Sequence, residues 1–78
     1  MAIVTNLERD DRQLKGRHPT NVTCRYLIDE CDGRKILQLN TYDSENRENP
    51  DKLSQTLQFD DLAAKQLFNL LKREFSLE

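Results

Sequence analysis

Apolar and polar residues alternate most regularly between residues 22 and 42. Residues of high strand propensity take every second position on either side of Asp32-Gly33, which predicts two strands. An Asp-Gly pair between strands predicts a two-residue type I′ turn, because both central positions of that turn need a positive φ. The turn fixes the register of the hairpin. Three pairs are then expected to face each other: Ile28 and Leu37, Tyr26 and Leu39, Cys24 and Thr41.

The pattern changes after a polar loop over residues 43–52. A third strand is predicted over about residues 53–59, where apolar side chains again take every second place. Asp60 or Asp61 is then expected to cap a helix that continues to about Phe75, because a short carboxylate accepts from the unpaired amides of the first turn. The apolar residues of this helix recur at helical spacing and form a broad stripe. The stripe consists of Ala63, Ala64, Leu67, Phe68, Leu70, Leu71 and Phe75.

The helix must bury its stripe, and the apolar side of the sheet is its natural partner. The predicted fold is therefore α+β, with a small antiparallel sheet of three to four strands and one C-terminal helix packed on it. That side of the sheet carries Val22, Cys24, Tyr26, Ile28, Leu37, Leu39, Leu57 and Phe59.

Residues 22–76 are expected to form this single domain. Residues 1–21 are predicted to be either a mobile arm or an extra edge strand. The arm is favoured because mixed charges, Gly16 and Pro19 interrupt any regular pattern. Residues 77–78, Leu-Glu, are expected to be a cloning remnant without a role.

Composition narrows the class of protein. The chain has 78 residues, of which 36% are hydrophobic and 33% charged, and this balance is typical of one small folded domain. A net charge of −2 and a pI near 5.4 exclude a strongly basic nucleic-acid-binding protein, although not a local polar or basic face. No apolar run approaches the ~20 residues of a membrane span, and no signal-peptide core is present. We therefore expect a cytoplasmic protein with no membrane contact, whose two cysteines are free thiols.

Catalytic chemistry finds little support in the chain. His18, the one histidine, precedes Pro19 in a loop and has no obvious partner. Helix capping explains Asp60 and Asp61 better than acid–base catalysis does. No serine or cysteine lies beside a usable base, and no glycine-rich phosphate loop is present. We expect neither an enzyme nor a bound cofactor or metal.

The other side of the sheet has a different composition. Its predicted side chains are Thr23, Arg25, Leu27, Ile36, Gln38, Asn40, Tyr42, Ser54, Thr56 and Gln58, and none of these is acidic. Single-stranded nucleic acid fits such a face, because a splayed base can stack on Tyr42, amides can bond its edges and Arg25 can meet phosphate. The same residue types are also common on the solvent side of a half-covered antiparallel sheet, and on composition alone a merely solvated face is the favoured explanation.

The order of elements is familiar from one family. A hairpin from Arg25 to Tyr42 with the turn Asp32-Gly33, a polar loop, a strand that begins near Lys52 and a final amphipathic helix follow one another over residues 22–75. This order resembles the single-stranded-DNA-binding domain of the transcriptional coactivator positive cofactor four and its small bacterial relatives of the YdbC type. The resemblance implies a dimer whose sheets grip single-stranded DNA or RNA with little sequence preference. It also implies roles for the aromatic residue that closes the second strand, Tyr42, and for the basic residue that opens the third, Lys52.

Two functional hypotheses follow from different classes. The first is a non-catalytic protein that binds single-stranded DNA or RNA, with a site formed by Arg25, Gln38, Asn40, Tyr42, Lys52, Thr56 and Gln58. The second is a protein-interaction or assembly module that has no nucleic-acid ligand. A homodimer is expected in either case, because a core this small supplies little stability and the helix stripe is wider than one small sheet can cover.

Overall fold

A computed structural model describes residues 1–42 and 53–77 of the chain. Its elements are β1 (Ala2–Val4), β2 (Cys24–Cys31), β3 (Arg34–Tyr42), β4 (Leu53–Phe59) and α1 (Asp61–Glu74). The four strands form one sheet in the order β1-β4-β3-β2, and α1 packs against β3 and β4. The predicted α+β fold with one C-terminal helix is confirmed. The sheet is mixed because β1 runs parallel to β4, while the other neighbours are antiparallel.

The hairpin between β2 and β3 has the predicted turn. Asp32 and Gly33 have φ values of 54° and 78°, the two positive angles of a type I′ turn. The glycine is useful here because a side chain resists this backbone region. The register that this turn imposes is confirmed, with Ile28 opposite Leu37, Tyr26 opposite Leu39 and Cys24 opposite Thr41.

The first residues of the chain form an edge strand. Ala2–Val4 pair with Leu57–Phe59, and the Val4 carbonyl also accepts from the Asp60 N–H at 3.2 Å. From β1 to β2 the chain then runs without regular secondary structure. This is the segment in which mixed charges led us to favour an arm. Along this path the Leu7 N–H donates to the Gln66 side chain of α1 at 2.7 Å. The segment that follows β1 therefore lies against one flank of α1.

The start of α1 is capped by Asp60. Its backbone is extended, and its carboxylate Oδ1 accepts from the Ala63 N–H at 2.9 Å. This bond satisfies one of the four amides that the first turn leaves without a helical partner. Asp61 lies within the first turn and forms an exposed ion pair with Lys65 at 3.6 Å. Of the two predicted capping residues, Asp60 is the cap.

Removing this cap tests its contribution. Asp60→Ala is expected to lower the free energy of unfolding by about 1 kcal/mol, because the Ala63 amide loses its acceptor. Asp60→Asn keeps an oxygen at the same place and should stay within a few tenths of a kcal/mol of the parent. Urea unfolding followed by circular dichroism measures both variants. Equal losses for alanine and asparagine would contradict the capping role.

The apolar core is smaller than the sequence pattern predicts. Phe59, which is 6% exposed, and Ala63 are the buried apolar residues among those described. The sequence pattern placed Tyr26 and Ile28 on the apolar side of the sheet that the helix was expected to pack on, but both are exposed, Tyr26 to 69%. The single helix contacts β3 and β4 and leaves β2 uncovered. The corresponding part of the helix stripe, Phe68, Leu71 and Phe75, is exposed as well.

Candidate functional site

The face of the sheet opposite α1 collects most of the predicted site residues. The pairing register places Arg25 beside Asn40, Asn40 beside Thr56, and Gln38 beside Gln58. With Tyr42 at the end of β3, these six residues form what we call the polar face: Arg25, Gln38, Asn40, Tyr42, Thr56 and Gln58. The seventh predicted residue, Lys52, lies outside the described residues, as does the predicted loop over 43–52.

Hydrogen bonds connect four of these side chains across β3 and β4. The Gln58 Nε2 donates to the Gln38 Oε1 at 2.8 Å, and the Gln38 Nε2 donates to the Asn40 Oδ1 at 3.0 Å. The same Asn40 oxygen accepts from the Thr56 Oγ1 at 3.0 Å. In the hairpin register, the Asn40–Thr56 and Gln38–Gln58 pairs of β3 and β4 fall at the non-hydrogen-bonded positions, where side chains come closest. The sheet geometry therefore builds this network.

Asn40 is the central and least exposed member of the network. Its exposed fraction is 7%, and it is the one buried polar residue in the described part of the chain. Its oxygen accepts two bonds, which fixes the orientation of the amide. A side chain this buried orients Gln38 and Thr56 and offers little surface of its own to a ligand.

Arg25 and Tyr42 form a cation–π pair beside the network. The Arg25 Cζ lies 5.0 Å from the centre of the Tyr42 ring, within the range of a cation–π contact. The pairing of β3 with β4 shifts between Thr41 and Tyr42, so Tyr42 lies at an irregularity of the ladder. Irregularities of this kind re-aim a side chain relative to the strand. The pair places a guanidinium and an aromatic ring next to each other, and either group can stack on a nucleobase.

The sequence pattern placed no acidic residue on this side of the sheet, and that prediction is wrong. Asp29 lies opposite Ile36 and shares the face with Leu27, two positions before it. Its carboxylate accepts from the Glu30 N–H at 2.8 Å. Arg34, two positions before Ile36, lies on the same face near the turn. Both residues can be identified from the sequence by extending the alternation one step toward the turn, from Leu27 to Asp29 and from Ile36 to Arg34.

The segment before β2 contains several Lys and Arg residues, and one of them, Arg12, forms an ion pair with Asp10. The Arg12 guanidinium donates to both carboxylate oxygens of Asp10, at distances of 2.8–3.2 Å. These bonds and one from the Arg12 N–H lower the pKa of Asp10 to about 2. The Arg12 charge is thereby matched locally. From Arg12 to Ile28 the sequence contains four Lys and Arg residues and no acid.

Other potential chemistry is sparse in the described part of the chain. The His18 Nδ1 accepts from the Thr20 N–H at 3.1 Å in an exposed turn. Cys24 and Cys31 are exposed free thiols in β2. Residues 1–42 and 53–77 contain no group of three His, Cys, Asp or Glu side chains placed to hold a metal. Within the same residues, no helix has the length and apolar character required to cross a membrane.

Comparison with known proteins leaves the polar face to be interpreted on its own geometry. No family model, curated protein or solved structure matches the chain.

Proposed function

We propose that this chain is a small, non-catalytic protein that binds single-stranded DNA or RNA through the polar face, as a remote relative of positive cofactor four. The observation that carries the proposal is the Arg25–Tyr42 cation–π pair beside a row of amide and hydroxyl side chains. Stacking on aromatic rings and guanidinium planes, with amides bonding base edges, is how proteins recognise unpaired bases.

The residues of the face have distinct roles in this proposal. Tyr42 and Arg25 stack on a base, and Arg25 also reaches phosphate. Gln38 and Gln58 retain hydrogen-bonding capacity beyond the network, because each amide has two donor hydrogens and each amide oxygen two lone pairs. The Thr56 hydroxyl donates to Asn40 and can still accept. Asn40 orients these neighbours from its buried position. Lys52 supplies a second phosphate contact.

Charge determines the strength expected of this binding. The chain has a net charge of −2, and Asp29 lies on the same face as Arg25. Few phosphates can then be neutralised, so binding is expected to be weak and its salt dependence shallow. Lys15 and Arg17 precede β2 in the acid-free segment and add two cations to the chain that leads into that strand.

The salt dependence of Arg25→Ala tests the phosphate contact. Its plot of log affinity against log salt concentration is expected to be less steep than that of the parent by about 0.7, the value for one phosphate on a single strand. Arg73→Ala, on the exposed end of α1, is the matched control and should keep the parental slope. Fluorescence anisotropy with a short labelled oligonucleotide measures the slopes. Parallel lines for Arg25→Ala and the parent would contradict the contact.

A second candidate function is favoured by the exposed apolar side chains of β2 and α1. Tyr26, Ile28, Phe68 and Phe75 are all exposed on the helix side of the sheet. Apolar groups arranged in this way are typical of protein-docking surfaces. Under this alternative the chain is an interaction module, and a protein ligand binds with little dependence on salt.

We also propose that the chain is a homodimer. In the described part of the chain two apolar residues are buried, which is a small core, and a second copy can cover the exposed side chains of β2 and α1. Sedimentation equilibrium is expected to give twice the 9.2 kDa mass of the chain. A monomer at high concentration would exclude the dimer without affecting the proposed ligand.

A further inference from the structure

The outer edge of β2 is a long surface for pairing with another strand. β2 has eight residues, all of them exposed, and β3 is its partner strand within the described residues. A regular edge of this length offers backbone N–H and C=O groups to another chain unless charges, proline or a bulge interrupt it. The strand contains no proline, and its register with β3 is continuous from Cys24 to Cys31. Its charged residues, Arg25, Asp29 and Glu30, are of both signs, so a partner strand can match them.

The hairpin turn determines which backbone groups face outward. In a two-residue hairpin the residues that flank the turn, Cys31 and Arg34, exchange hydrogen bonds with each other. Hydrogen-bonded and non-hydrogen-bonded pairs then alternate along the ladder. Cys24, Tyr26, Ile28 and Glu30 consequently direct their N–H and C=O groups away from β3, toward the open edge.

We propose that a second copy of this chain occupies this edge, with β2 pairing antiparallel to the partner's β2 around a two-fold axis at Leu27. The proposal rests on the homodimer proposed above and specifies its interface. An isologous two-fold contact uses the same surface twice, which suits a single self-complementary edge. The two sheets join into one of eight strands, and the two polar faces lie on the same side.

Charge complementarity selects this register. With the axis at Leu27, Arg25 lies opposite the partner's Asp29, and Asp29 lies opposite the partner's Arg25. Tyr26 then pairs with the partner's Ile28, and Leu27 pairs with its own equivalent. Moving the axis by one residue to Tyr26 or Ile28 leaves neither charge opposite the other. Opposite charges across a ladder stabilise a pair, and like charges directly opposite each other destabilise it.

The apolar flank of α1 supports the same interface. At about 100° per residue, Phe68, Leu71 and Phe75 lie on the flank of α1 away from Gln66. Gln66 bonds the segment that follows β1, so its flank faces the β1 edge of the sheet. The apolar flank therefore faces the β2 edge. A two-fold axis beside β2 brings this flank, Tyr26 and Ile28 toward their equivalents and covers them.

The edge contact leaves Arg25 able to serve the polar face. A guanidinium has five N–H donors in a planar fork, so one carboxylate does not use them all. The Arg25 of each copy lies near the junction of the two polar faces. A bound strand can then cross from one copy to the other.

Complementary charge reversals test the interface without a nucleic-acid ligand. Arg25→Glu places a carboxylate opposite the partner's Asp29, and Asp29→Arg places a guanidinium opposite the partner's Arg25. Each variant alone is expected to raise the dimer dissociation constant about tenfold or more, because two like-charged pairs then face each other across the axis. An equimolar mixture of the two variants has opposite charges at both pairs and should associate about as tightly as the parent. Sedimentation velocity measures all three samples.

A cross-link at the axis tests the register independently. In a Cys24→Ser, Cys31→Ser background, Leu27→Cys is expected to form a disulfide-linked dimer under mild oxidation, because a non-hydrogen-bonded pair has its Cα atoms about 4.5 Å apart. Ser54→Cys, an exposed position on β4, is the matched control and should remain largely uncross-linked.

The outcomes separate this inference from the proposals beneath it. A dimer unaffected by both reversals, or a Leu27→Cys yield no higher than that of Ser54→Cys, would exclude the β2 edge while leaving the homodimer and the ligand intact. A monomeric parent would exclude the edge and the homodimer together. Sedimentation and cross-linking are both done without oligonucleotide, so their results do not depend on whether the chain binds nucleic acid.

Discussion

Replacing Tyr42 with alanine is expected to weaken the binding of single-stranded oligonucleotide about 5- to 150-fold. The ring is the aromatic surface of the polar face, and stacking a base on such a ring contributes about 1–3 kcal/mol. The loss also removes the surface on which the Arg25 guanidinium rests, 5.0 Å from the ring centre. Isothermal titration or anisotropy at low salt measures the change.

Two controls make the Tyr42 result specific. Tyr42→Phe keeps the ring and should bind within about twofold of the parent, because stacking depends on the aromatic face more than on the hydroxyl. Leu14→Ala truncates a residue that is 96% exposed in the segment before β2 and should bind as the parent does. If Tyr42→Ala binds like Leu14→Ala, the polar face carries no stacked base.

Replacing Phe59 with alanine is expected to cost about 3–5 kcal/mol of stability. Phe59 is the largest buried apolar side chain among the described residues, and it lies between Val4 of β1 and Leu37 of β3. A core of this size rarely supplies more than about 3–5 kcal/mol in total. We therefore expect Phe59→Ala to be largely unfolded at 25 °C.

Thermal and urea unfolding measure this loss. Phe59→Leu keeps much of the apolar volume and should remain folded with a lower melting temperature. Leu14→Ala should change the free energy of unfolding by less than about 0.5 kcal/mol, because its side chain packs against little. A Phe59→Ala variant that melts with the parent would contradict the position of the core.

The local elements were predictable because each has a local cause. The Asp32-Gly33 turn fixes the β2–β3 register residue by residue, and no tertiary contact is needed to define it. Asp60 caps α1 through a bond to an amide three residues later. The strand over Leu53–Phe59 follows from its own alternation.

The remaining features depend on contacts between distant parts of the chain. β1 has three residues, too few for a periodic signal, and its parallel pairing with β4 joins residues that are far apart in the sequence, such as Ala2 and Leu57. Alternation assigns Asn40 to a face but gives no measure of its burial, which comes from neighbours on β2 and β4. The apolar stripe of α1 likewise shows which residues are apolar but not how far one helix extends across four strands.

Site prediction had the same limits. Pairing parity placed Arg25, Gln38, Asn40, Tyr42, Thr56 and Gln58 on one face. The hydrogen-bond network among these side chains depends on rotamers that no sequence pattern specifies. Asp29 was within reach of the pattern, and its presence on the face changes the expected electrostatics from purely attractive to mixed.

An NMR titration of the parent protein with a short single-stranded oligonucleotide at low salt tests the proposed ligand and its site most directly. We predict that the side-chain amide signals of Gln38 and Gln58 and the ring signals of Tyr42 shift, while the signals of Leu62 and Lys65 on α1 stay in place. The polar face would then be the binding surface. If no signal moves with DNA or RNA, or if the shifts are confined to α1 and the helix side of the sheet, the proposed function is contradicted.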